Sequence, residues 1–226
     1  VRWWLLRFAR RGPARYLSHL DTARALQRTL ARAGVRLALS EGMRPKPRLS
    51  LPLPLPVGAA AADELAVVGV EDGTEAGPAA LRALRAAAPP GLEILAIVDA
   101  GGQHPRPQAR AATYACRLEG DSGALLAAVA RLRESASLPY ERRSPKGVRQ
   151  LDLKEYVEDL RAEPVTGGVR LAFRLPLRAD GAARPQEVVD AVAAAAGVEP
   201  VAYDLERTGV TWSSVPPATV AGGGRS

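Results

Sequence analysis

Apolar and polar positions alternate from the first residues of the chain. In VRWWLLRFA (1–9), Trp4, Leu6 and Phe8 fall on one side of an extended backbone and Trp3 and Leu5 on the other, which predicts a strand. The period then lengthens. Leu20, Ala23, Leu26, Leu30 and Ala33 recur at helical spacing, so a helix is predicted from Ser18 to a stop at Gly34. SHLD (18–21) has the form of a capping box, with Ser18 capping the first turn and Asp21 reaching back. Short strands are predicted at 35–39 and 63–71, a helix at 78–88 opened by Pro78, and a strand at 92–100. The order is βαββαβ.

GGQHPRPQ (101–108) has no apolar period and reads as a linker. The rhythm then starts again. A strand is predicted at 112–119, a helix at 121–135, a strand at 138–143 and a turn at SPKG (144–147). Residues 151–160 fit either a short helix or the start of a strand. A strand at 169–177, a helix at 184–197 and a strand at 201–210 complete the second set. The expected fold is therefore α+β, with two tandem ferredoxin-like βαββαβ modules, the second carrying an extra element. The expected domains are 1–100, the 101–108 linker, 109–212, and a flexible tail at 213–226.

One stretch resists this pattern. MRPKPRLSLPLPLPVG (43–58) places proline at 45, 47, 52, 54 and 56. Pro52, Pro54 and Pro56 remove N–H donors from one side of an extended chain only. An edge strand or an extended segment along a rim accepts that, and a central strand does not.

Composition narrows the classes. At 47% apolar and 24% charged the chain is globular, and no apolar run approaches the roughly 20 residues of a bilayer span. At the N-terminus arginines follow the apolar run, the reverse of a signal peptide, so a cytoplasmic protein without membrane association is expected. A single cysteine, Cys116, leaves no internal disulfide, and its alternation with Tyr114 and Leu118 predicts a buried thiol. Net charge is +7, which suits phosphate-bearing or acidic partners. Only Lys46, Lys146 and Lys154 are lysine among 31 basic residues, a bias that also looks like genomic base composition.

The candidate chemistry lies mainly in 15–48. Arg24, Arg28 and Arg32 recur every four residues as a basic ridge, with no acid after Asp21 on that helix. Arg44, Lys46 and Arg48 stand on a proline-stiffened segment, and preorganised cations lose less entropy on meeting an anion. In the second half Arg142, Arg143, Lys146 and Arg149 surround the SPKG turn. His19, at a helix start where the dipole disfavours imidazolium, is the candidate general base; a packing role fits a lone histidine as well. No Gly-rich phosphate loop, metal-spaced His/Cys set or Ser-His-Asp arrangement is visible. At 4% aromatic residues the chain does not suit recognition of RNA by base stacking.

RYLSHLDTARALQRTLARAGVRLALSEGMRPKPRLSLPLPLPVG (15–58) resembles the radical-SAM-linked proteins, a bacterial family fused to, or encoded beside, cobalamin-binding radical SAM proteins. The pattern falls on Arg15, Tyr16, Ser18, His19, Asp21, Arg24, Arg32, Ala33, Gly34, Ser40, Gly42, Pro45, Pro47, Arg48, Ser50, Pro56 and Gly58. Met43 stands where phenylalanine is usual and Lys46 where histidine is usual, which weakens any histidine-pair chemistry. The resemblance implies a radical SAM protein as partner. This chain has no CxxxCxxC and no cobalamin loop, so no cofactor of its own is expected. The leading expectation is a non-catalytic accessory protein that binds the partner enzyme or an anionic substrate, RNA among them, through Arg15, Tyr16, His19 and the cations named above. The alternative is a metal-independent RNA-processing enzyme with His19 as base, since the tandem layout is also similar to CRISPR repeat-processing endoribonucleases. A purely structural subunit is the third.

Overall fold

The computed structural model describes residues 1–145, 147–178, 181, 183–200 and 202–213. The chain forms two compact units, residues 1–109 with Trp212 and Ser213, and residues 110–211. Both are α+β.

In the first unit β1 (Arg2–Arg10) lies between β3 (Ala60–Val70) and β4 (Leu92–Gly101), antiparallel to both. A two-residue strand, β2 (Leu49–Ser50), adds to β3 by pairing Leu49 with Val68 and Ser50 with Val67. Helices α1 (His19–Arg32) and α2 (Pro78–Ala87) cover one face. There Trp4, Leu6 and Phe8 pack with Leu26, Leu30 and Leu84, while Trp3 and Leu5 join Leu65 and Val67 on the other face. A central strand buries both its faces, which is why β1 alternates between two apolar sets.

The α1 stripe is rotated from the one expected. Its buried residues are Thr22, Ala25, Leu26, Thr29 and Leu30, and Leu20 is exposed. Two threonines can face the core because each hydroxyl donates to a carbonyl four residues back: Thr22 Oγ1 to Ser18 O at 2.8 Å, and Thr29 Oγ1 to Ala25 O at 2.9 Å. The 35–39 segment is extended but is not a strand. It makes isolated bridges only, Leu37 with Val70 and Leu39 with Pro47.

The second unit contains β5 (Ala109–Glu119), β8 (Glu158–Val165), β9 (Gly168–Pro176) and β10 (Ala202–Trp212), in the order β10-β5-β9-β8. Its helices are α3 (Ser122–Glu134) and α4 (Pro185–Ala196). The strand expected at 138–143 does not join this sheet. Among the described residues β6 (Pro139–Ser144) and β7 (Gly147–Asp152) pair only with each other as a hairpin, and β8 takes the sheet position instead. The ambiguous 151–160 segment divides into the end of β7, a 3-10 turn (Leu153–Glu155) and the start of β8.

Cys116 is buried in β5 opposite Leu171, and burial pushes its thiol up to about 11. The thiolate is the nucleophile, so Cys116 should resist iodoacetamide at pH 8 and react at the rate of unfolding. Immediate labelling of the native chain, read by mass spectrometry, would contradict this placement.

Candidate functional site

The residues of the 15–58 segment meet around a buried cation that the sequence reading did not single out. Arg10, at the end of β1, is 2% exposed. Its Nη1 donates to Thr22 Oγ1 at 2.8 Å and to Leu17 O at 3.2 Å. Its Nη2 donates to Pro56 O and Ala59 O at 3.4 Å and to Arg15 O at 3.5 Å. One guanidinium therefore ties together the 3-10 turn Gly12–Tyr16, the first turn of α1 and the far end of the proline segment. Burying such a charge is tolerable only with compensating partners, and both Nη groups have them here.

Arg15 makes a second tie to the same place. The Gly58 N–H donates to Arg15 O at 2.8 Å, and Arg15 Nε donates back to Gly58 O. Gly58 holds φ at +89°, the left-handed region that suits glycine. Between β2 and this anchor, residues 51–56 form a strap without regular secondary structure, bent at Pro52 and Leu53. Leu55 is buried and Leu51 and Leu53 are half-buried, whereas Pro54 and Pro56 face solvent. The three leucines, with Phe8, Arg10, His19, Thr22 and the buried Glu64, enclose a cleft of about 10 Å³, room for one water at most. Pro52, Pro54 and Pro56 thus lie just past the paired residues of β2, outside any ladder, on a segment that bends at Pro52 and Leu53 where a uniformly extended one was expected.

His19 sits at the mouth of this cleft, exposed, as the first residue of α1. Among the described residues no carboxylate or hydroxyl hydrogen-bonds its imidazole. Ser18 caps the helix: its Oγ accepts from the Asp21 N–H at 3.1 Å and donates to Asp21 Oδ2 at 2.6 Å. The Asp21 carboxylate therefore returns to the Ser18 hydroxyl, not to its backbone N–H. That hydroxyl, chiefly, and then Arg24 hold the Asp21 carboxyl below the usual carboxylate range.

Arg24, Arg28 and Arg32 are all exposed on the outer side of α1. Arg24 lies 3.3 Å from Asp21, and Arg28 and Arg32 have no ion pair among the described residues. Tyr16, 66% exposed, lies under the Arg15 guanidinium at 5.6 Å, and Leu20 and Val57 are exposed as well.

The 40–48 cations belong elsewhere. Ser40 closes a turn by donating its N–H to Lys46 O and accepting the Lys46 N–H on Oγ, which leaves Met43, Arg44 and Lys46 in solvent. Arg48 donates to Leu39 O and lies 3.8 Å from Glu41. A Cβ added at Gly69 would meet Arg48 Cβ at 2.9 Å and the Trp3 ring at 3.2 Å. Arg48 therefore shares the Trp3 face of the sheet, away from α1. The α1 arginines and Arg48 do not form one surface.

In the second unit the basic turn is largely spent on structure. Arg142 is fixed by Glu187, Nε to Oε1 at 2.5 Å and Nη2 to Oε2 at 2.7 Å, so it anchors the hairpin to the start of α4. Arg143 is exposed and pairs with Glu141 at 2.8 Å. Lys146 lies outside the described residues. The sequence reading missed these restraints because Glu187 is 45 residues from Arg142.

Two α+β units define the class of protein. Within it, the chain belongs to the family described as "uncharacterized protein conserved in bacteria (DUF2344)", which matches residues 4–185. No curated protein matches the chain. Among the described residues no helix is long and apolar enough to cross a membrane, and no cluster of His, Cys, Asp and Glu is suited to a metal ion.

Proposed function

We propose that the chain is a cytoplasmic, non-catalytic accessory protein of a radical SAM enzyme, and that α1 with the adjoining Arg15–Leu20 surface docks the partner. The partner is inferred from the motif resemblance of residues 15–58. The observation that carries the docking role is the ridge of Arg24, Arg28 and Arg32: three exposed guanidiniums on a capped helix, of which only Arg24 forms an ion pair among the described residues. Arg10 ties the first turn of that helix through Thr22, Arg15 ties the preceding 3-10 turn to Gly58, and exposed Tyr16 and Leu20 add apolar contact next to the charge. An acidic surface on the partner is the complement of such a face. We also read both units as ferredoxin-like. Strand orders β4-β1-β3 with β2 on β3, and β10-β5-β9-β8, support this, with the β6–β7 hairpin as the added element.

The His19 reading has one observation in its favour, the shared cleft with Arg10, Thr22 and Glu64. A cleft that holds at most one water admits no nucleotide while the strap is in place. Incubation of the purified chain with total RNA in EDTA decides between the two readings. The docking reading predicts no cleavage, whereas cleavage abolished by His19→Ala would establish the enzyme. In parallel, the tagged chain should retain a radical SAM protein from its own cell lysate after ribonuclease treatment. Retention that disappears with ribonuclease would make RNA the ligand and overturn a protein partner.

A further inference from the structure

The second unit contains a cavity of about 500 Å³ between the end of α3, the 3-10 turn at Leu153 and the start of β8, well within the size of small-molecule sites. Leu138, Val157 and Leu160 supply apolar wall, and Arg133, Lys154, Arg161 and Asp159 supply charge. Its shape comes from a local break in β8. A regular strand sends alternate side chains to opposite faces, yet Asp159, Leu160 and Arg161 all line this one cavity. The register of β8 on β9 shifts between Glu158 and Arg161, and Asp159 takes a left-handed φ of +51°. Bulges re-aim side chains in this way, and left-handed non-glycine residues gather where function holds them.

The charges are not balanced within the cavity. Lys154 is committed, with Nζ donating to Leu132 O at 3.2 Å and Arg133 O at 2.7 Å, so it closes the C-terminal end of α3. Arg133 and Arg161 are exposed, and their guanidiniums have no hydrogen bond or ion pair among the described residues. Two planar forks beside an apolar wall fit a doubly charged, multi-oxygen group carried on an apolar body. We propose that this cavity is a binding site for a small organic phosphate with an apolar substituent, held by Arg133 and Arg161. The site is independent of the docking role of α1.

Titration calorimetry on the full chain at fixed ionic strength tests it, with phenyl phosphate and inorganic phosphate as probes. Phenyl phosphate should saturate one site at least tenfold more tightly than inorganic phosphate. Arg133→Gln with Arg161→Gln should weaken it at least tenfold, while Arg82→Gln with Arg106→Gln, which removes the same charge from the first unit, should leave it unchanged. Methyl NMR supplies a readout that needs no variant: Leu138, Val157 and Leu160 should shift on titration. Equal affinity for the two probes, equal weakening by the control pair, or methyl shifts that leave these three residues unmoved would overturn the assignment.

Discussion

Replacing Arg10 by methionine is expected to cost the first unit on the order of 4 kcal/mol, because the loss is not one contact but the donors of five acceptors. Thr22 Oγ1 and the carbonyls of Arg15, Leu17, Pro56 and Ala59 would lose them, and the bonds to Thr22 Oγ1 and Ala59 O are buried. Each buried acceptor left unmet costs roughly 1–3 kcal/mol, offset in part by the methionine's own burial. Against a domain stability of about 5–15 kcal/mol that is a large fraction. Arg10→Lys should fail nearly as badly, since an ammonium has three donors at one point and no fork. Denaturant unfolding followed by peptide-resolved hydrogen exchange checks this. The 51–59 strap should lose protection first. A change below about 1 kcal/mol, or a strap as protected as in the parent, would show that Arg10 is not its anchor.

The second large effect lies at the hairpin. Arg142→Leu leaves the Glu187 carboxylate, whose side chain is 5% exposed, without its guanidinium. Breaking such a pair from one side costs about 3 kcal/mol, whereas removing both partners costs much less. The double variant R142L/E187L should therefore be more stable than R142L alone. It should still fall short of the parent, because Glu187 Oε2 also accepts the Arg184 N–H at 2.8 Å at the start of α4. A double variant no better than the single would mean that the charge pair is not what holds the hairpin. Tyr140 Oη on Asp190 at 3.0 Å would then be the main anchor.

Where the sequence was legible, the signal was periodic and local. The two faces of β1 follow from the alternation of Trp4, Leu6 and Phe8 with Trp3 and Leu5, and the Ser18 cap follows from four consecutive residues. Apolar counting went astray on α1, where Thr22 and Thr29 are inside and Leu20 is outside. A threonine that donates to its own helix is apolar in effect, and no hydropathy pattern records that donation. The centre of the candidate site was illegible for a related reason. Arg10 looked like one arginine in a basic run, and its acceptors are mostly backbone carbonyls from 15, 17, 56 and 59, which carry no residue-type signal. The face on which Arg48 stands depended on the Gly69 register, again a long-range pairing. Arg15 and Gly58 could be read as motif members from the sequence. That they bond each other across 43 residues could not.

The docking proposal assigns the outer side of α1, and not the cleft or the Arg48 face, to the inferred radical SAM partner. The most direct test is the affinity of the purified chain for the radical SAM protein of its own cell, measured for the parent, for R24Q/R28Q/R32Q and for R48A. The triple substitution should weaken binding at least thirtyfold and flatten its salt dependence, and R48A should change it less than threefold. Equal affinity of the triple variant and the parent would contradict the account.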